Sequence, residues 1–140
     1  MNEITVKALV DNLGTVTDFV DDFLDSRDCP MKVQMQIDIA IDEIFSNICH
    51  YAYGDSVGEA TIRVEFEDAG EANGPKAIAL TFIDNGVPYN PLEKEDPDTT
   101  LSAEDRKIGG LGIYMVKKNM DEMEYEYSEG KNILSMKKYL

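Results

Sequence analysis

Three clusters of residues have types and spacings that could do chemistry. Glu43 and Asn47 stand four positions apart, which places a carboxylate and a carboxamide on one face of a helix. At about 100° per residue they fall roughly a quarter turn from the stripe Ile37, Ile41, Ile44 and Ile48, on the border between core and solvent. There they could line a cleft or form a solvated polar face. Asn disfavours a helix interior by a few tenths of a kcal/mol relative to Ala, so its presence invites a second reason. Asp84-Asn85-Gly86-Val87-Pro88-Tyr89-Asn90-Pro91 follows a strand-like run. An acid at a strand end, followed by Gly, can accept a hydrogen bond from a ligand amino group while the backbone stays open to close approach. The same residue types also form an ordinary turn. Gly109-Gly110-Leu111-Gly112 opens an apolar helix at Ile113, and consecutive N–H groups at a helix start make an anion site suited to phosphate. The run lacks the Gly-Lys-Ser/Thr ending of a P-loop, and the charged stretch before it does not fit a dinucleotide fingerprint. Alone it is a glycine-rich turn.

The elements that must position these residues follow from periodicity. Glu3 to Lys7 alternates like a half-buried strand, and Val16, Phe19, Val20 and Phe23 recur at helical spacing with Asp18, Asp21, Asp22 and Asp25 on a solvated face. Pro30 breaks the chain before a long amphipathic helix from Met31 to about Tyr53, which ends near Gly54. Ile62, Val64 and Phe66 alternate with polar residues, and Ala77 to Asp84 is strand-like again, so the two read as a hairpin across the polar stretch Asp68 to Lys76. Asn90 to Lys107 carries prolines and charges without periodicity, which predicts a long surface loop acting as a lid over about residues 90–108. A helix from Ile113 to about Met120 follows, then a last hairpin of Met123 to Tyr127 and Ile133 to Lys138 around Gly130. Short connections make neighbouring strands antiparallel. The expected fold is therefore α+β: a two-layer sandwich of a mixed, mainly antiparallel sheet with its helices on one face.

Bulk properties narrow the classes. The 140 residues suffice for a single domain, and 43% hydrophobic with 29% charged residues is ordinary soluble usage. Thirteen Lys and Arg against 28 Asp and Glu leave a net charge of −15, which repels a phosphate backbone and argues against nucleic acid as a direct partner. The acidity serves solubility or a partner with a basic face. No apolar run approaches the roughly 20 residues a bilayer requires, and Met1 to Ile4 lacks a basic start, so no membrane association and a cytoplasmic location are expected. Cys29 and Cys49 are read as free thiols of a reducing compartment, since two cysteines build no framework.

Taken jointly, a helical Glu/Asn pair, Asp-x-Gly at a strand end, a long loop and Gly-x-Gly before a helix resemble the GHKL ATPases, whose ATP-binding domain has the Bergerat fold. Asp42 to Asn47 looks like that family's N box, Asp84 to Pro91 like its first glycine box, and Gly109 to Val116 like its second. The Asp-x-Gly-x-Pro-aromatic-x-Pro form, with Gly-Gly-Leu-Gly-Ile-Tyr-Met-Val and Asn119 to Met123, is similar to the anti-sigma factor serine/threonine kinases. The similarity runs from about Ile37 to the C-terminus.

That resemblance implies a Mg-ATP site. Asn47 would bind Mg2+ through its side-chain oxygen, Asp84 would accept from the adenine amino group, and Gly86 would let the nucleotide lie close to the chain. Gly110, Leu111 and Gly112 would hold phosphates, Arg106 and Lys107 would neutralise them from the lid or remain solvated, and Glu43 would be the general base for a Ser or Thr hydroxyl. The implied partners are an anti-anti-sigma protein as phosphoacceptor and a sigma factor; homodimerisation is suggested by the family alone. One departure is visible: Tyr51-Ala52-Tyr53 stands where the family often has His-Ala-Tyr or His-Gly-Tyr, with His50 one place earlier and read as structural. Rival readings are a non-catalytic, ATP-gated binding module and an ATPase that needs no protein acceptor.

Overall fold

The computed structural model describes residues 1–68, 75–93 and 111–140. Strand β1 (Asn2–Lys7) leads through a 3-10 turn at Val10–Asn12 into α1 (Leu13–Asp25), and Pro30 then precedes α2 (Met31–Asn47). The helix widens into a π turn over Ile48–Ala52, so the helical segment ends close to where the apolar stripe runs out. Strands β2 (Glu59–Asp68) and β3 (Pro75–Asp84), a 3-10 turn at Pro91–Glu93, α3 (Leu111–Asn119), β4 (Glu122–Ser128) and β5 (Lys131–Tyr139) complete the order.

The five strands form one sheet in the order β1-β2-β3-β5-β4. Every neighbouring pair is antiparallel, the limiting case of the mainly antiparallel sheet expected. Helix α3 returns the chain so that β4 runs in the direction of β3, and β5 lies between the two, which removes the one parallel contact this topology could have made. The β4–β5 turn is tight: Glu129 (φ 53°) and Gly130 (φ 79°) both adopt positive φ between the paired residues Ser128 and Lys131. That is the twist a two-residue hairpin requires, and Gly130 adopts it without steric cost.

Alternation decides the layers. Ile62, Val64, Ile78, Leu80, Phe82, Leu134 and Met136 point from the sheet into one core with Val16, Val20 and Leu24 of α1, Ile37, Ile41 and Phe45 of α2, and Ile113 and Val116 of α3. Each such side chain contributes about 1.5–3 kcal/mol relative to exposure. The opposite face is polar, with Thr5 bonded to Thr61 (2.8 Å), Glu3 paired with Arg63 (2.7 Å) and Glu67 with Lys137 (3.0 Å). The helices thus cover a single face, giving the α+β sandwich. No helix among the described residues is long and apolar enough to cross a membrane.

One expected surface feature differs. Asp18, Asp22 and Asp25 are exposed, but Asp21 is half-buried beside Asp38 of α2, and Oδ1 of each is buried without a hydrogen-bond partner among the described residues. The helix–helix contact, invisible in the periodicity of α1 alone, turns this aspartate inward.

Candidate functional site

Glu43 and Asn47 occupy the last turn and a half of α2, both half-buried at the rim of the core. Asn47 Nδ2 donates to Glu43 Oε1 (3.2 Å), which orients the carboxamide and leaves Asn47 Oδ1 without a protein partner among the described residues. A free amide oxygen at this place is a suitable donor for a hard, oxygen-seeking cation such as magnesium, and no cluster of three His, Cys, Asp or Glu side chains offers an alternative among the described residues.

Asp84 ends β3, directly opposite Ala60 on one side and Asn132 on the other. It is buried, and its Oδ1 accepts from Gly86 N (2.9 Å) and from Asn132 Nδ2 (2.9 Å). Its Oδ2 has no protein donor among the described residues. Asp84 and Asn47 line the same cavity, which is narrow, with about 50 Å³ open to water-sized spheres. Apolar walls come from Ile44, Ile48, Phe82, Val87 and Leu134, with Tyr51, Tyr89 and Tyr125 at the sides. The composition is that of a pocket for a flat, partly apolar group with few polar contacts.

The π turn builds one wall. Tyr51, exposed at the position where the resemblance led one to expect histidine, lines the cavity, whereas His50 is exposed, outside the lining, its ring edge-on to Tyr51. Tyr53 accepts from Asn85 N (2.9 Å) and donates to Glu59 O, pinning the exit of the turn to the loop after β3; burial raises its phenol above the ordinary value. Val87 N donates to Ala52 O (2.9 Å). This contact explains Gly86: a Cβ there would lie 2.3 Å from Ala52 O and 2.6 Å from Ala52 Cβ, so the position admits no side chain. Its bare side faces the π turn, so the close approach visible in the structure is backbone to backbone.

Helix α3 starts at Leu111, and a Cβ on Gly112 would fall 2.1 Å from Glu43 Oε2. The helix start is thereby held against the carboxylate that bonds Asn47. Two of the three distant motifs share the cavity wall, and the third adjoins it through Glu43. Gly110, Arg106, Lys107 and all of the loop expected as a lid over about residues 90–108 beyond residue 93 lie outside the described residues.

Two contributors were not legible as site residues in the sequence. Asn132 is buried and connects Asp84 to the loop that follows it, and Tyr125 of β4 donates to Asn132 Oδ1. Burial raises the Tyr125 phenol above its ordinary value, keeping the donor protonated. The available signal was phase: Asn132, Leu134 and Met136 share the inward face of β5, and a carboxamide there needs partners.

A model of the histidine kinase-like ATPase domain matches residues 6–138. Similar curated proteins include "Serine-protein kinase RsbW" of Bacillus mycoides, 35% identical over an aligned length of 107 residues, with 73% of this chain and 61% of the relative covered. Proteins of the same name from Bacillus cereus and Bacillus thuringiensis are 34% and 31% identical, with the same coverage. The chain thus spans about three fifths of the length of these relatives.

Proposed function

Because the chain belongs to the histidine kinase-like ATPase family, matched over residues 6–138, we propose that it is a cytoplasmic anti-sigma factor kinase. In this reading residues 1–140 act as one domain that binds Mg-ATP in the cavity between Asn47 and Asp84 and phosphorylates Ser or Thr of an anti-anti-sigma protein. A sigma factor is the second partner. The supporting observation is that two side-chain oxygens without protein donors among the described residues, Asn47 Oδ1 and Asp84 Oδ2, belong to residues lining one apolar cavity. Asp84 accepts from the adenine amino group; Asn47 holds the magnesium ion, which neutralises phosphate charge when bound. The amides at Gly110, Leu111 and Gly112 hold the phosphates, with Arg106 as the cation supplied from the lid.

Glu43 then has one oxygen on Asn47 Nδ2 and the other beside Gly112. As general base it takes the proton of the partner's hydroxyl while that oxygen bonds to the γ-phosphorus and the bond from the γ-phosphorus to the bridging oxygen breaks, releasing ADP. The names of the relatives support a serine acceptor. The test combines two measurements on the full chain. Thermal unfolding with Mg-ATP should rise above that with Mg-GTP or no nucleotide, since selective binding to the folded state stabilises it. Incubation with an anti-anti-sigma protein should yield phosphoserine or phosphothreonine. Nucleotide binding without transfer would move the protein to a nucleotide-gated binding module; phosphate release without any acceptor would make it an ATPase; no stabilisation by ATP would end the reading.

A further inference from the structure

We infer that Asn132 is a positioning residue that sets the base selectivity of the cavity, by holding Asp84 with one oxygen saturated and the other without a donor among the described residues; this rests on the nucleotide reading above. Asn132 stands opposite Asp84 in the β3–β5 register and is buried. A carboxamide has two N–H donors and an oxygen that accepts two bonds. Here all are used. Nδ2 donates to Asp84 Oδ1 (2.9 Å) and to Val87 O (2.9 Å), while Oδ1 accepts from Tyr89 N (3.0 Å) and from the Tyr125 hydroxyl. The side chain therefore has nothing left to offer a ligand, and its role runs through Asp84.

The orientation of the amide is dictated, because Tyr89 N can only donate. It must face the amide oxygen, which turns Nδ2 toward Asp84. Tyr125 adds a second donor on the same oxygen, and its hydroxyl also receives Tyr89 N (3.2 Å). With Asn132 Nδ2 and Gly86 N both on Oδ1, the carboxylate cannot rotate without breaking two bonds. Asp84 lines the cavity, and Oδ2 is its acceptor left without a protein donor among the described residues. A base edge bearing an exocyclic amine satisfies it; an edge bearing a carbonyl oxygen at that place sets lone pairs against lone pairs. A site built around a hydrogen bond rejects the analogue that cannot make it far more strongly than an apolar wall rejects a misfit.

Two probes isolate this effect: ATP, and inosine triphosphate, which carries a carbonyl where ATP carries the amine. Affinities of the full chain for both are measured by calorimetry for wild type, N132D and Y125F. Wild type should prefer ATP by about tenfold or more. N132D removes the donor to Asp84 and places a second carboxyl beside it, so that the pair holds a proton and can donate; the preference should fall about tenfold. Y125F removes one of two donors on the amide oxygen, and the preference should fall about threefold. A purely structural lesion weakens both nucleotides alike and leaves the ratio unmoved. An unchanged ratio in folded N132D, or in Y125F where N132D does not fold, overturns the inference and leaves nucleotide binding standing, as does a wild type that binds both equally. A wild type that binds neither probe overturns the nucleotide reading itself.

Discussion

The carboxylate of Glu43 fills the space that a side chain at Gly112 would require, its Oε2 lying 2.1 Å from where a Cβ would stand. The obstacle is the far end of a flexible side chain, so a methyl group can be accommodated by moving Glu43. Gly112→Ala should leave the melting temperature unchanged or slightly raised, because Ala favours a helical turn over Gly by up to about 1 kcal/mol. Phosphate transfer should fall at least about tenfold, since a general base displaced by an ångström loses its geometry. Full transfer activity in a folded Gly112→Ala protein would show that Glu43 need not lie where it does.

Glu43 also orients Asn47, so the choice of substitution matters. Glu43→Gln retains an oxygen to accept from Asn47 Nδ2 and should bind Mg-ATP within about threefold of wild type while losing roughly 10²-fold or more in transfer rate. Asn47→Ala should instead abolish the magnesium dependence of nucleotide binding. Titrations with and without magnesium, alongside single-turnover transfer, separate the two; transfer that survives in Glu43→Gln removes the base assignment.

Much of this arrangement was legible because it follows from period and punctuation. The stripe Ile37, Ile41, Ile44 and Ile48 is buried as spaced, and Glu43 and Asn47 sit at its border, because a helix keeps its faces in register along its length. The antiparallel pairing of β2 with β3 and of β4 with β5 followed from their short connections. What escaped the sequence depends on contacts between distant segments. Gly86 fits both a turn and a ligand approach, and only the packing of Ala52 against it reveals the backbone collision a side chain would cause. Asn132 lies two residues past the hairpin Gly130, and only its strand phase places it opposite Asp84. Asp21 joins the acidic face of α1 on any helical projection, and α2 alone turns it inward.

At Gly86 the obstacle is backbone rather than a mobile side chain. Gly86→Ala would drive a methyl into Ala52 O and Cβ, at 2.3 Å and 2.6 Å, and must separate the loop after β3 from the π turn. The bond from Val87 N to Ala52 O would go with it. Overpacking of this kind typically costs about 1–3 kcal/mol, so the variant should melt several degrees lower and bind nucleotide weakly. Wild-type stability in Gly86→Ala would mean that the loop has room the geometry denies.

The pair across α1 and α2 predicts how stability responds to pH. Burial, then the hydrogen bond to and repulsion from Asp21, then repulsion by Asp25, raise the Asp38 carboxyl to about 7 from its ordinary value of 3.8. The folded state therefore holds this proton more tightly than the unfolded chain does. Its stabilising contribution is complete below the unfolded value, near pH 4, and is lost as pH rises through about 7. Between pH 5.5 and 8.5 the wild-type denaturation midpoint should decline as Asp38 is forced to ionise. Asp38→Asn keeps a neutral side chain of the same size there, so its midpoint should decline less and exceed wild type at pH 8.5. Urea unfolding of both proteins at the two pH values provides the measurement. Parallel declines would show that other groups carry the pH dependence and that Asp38 ionises freely in the folded protein.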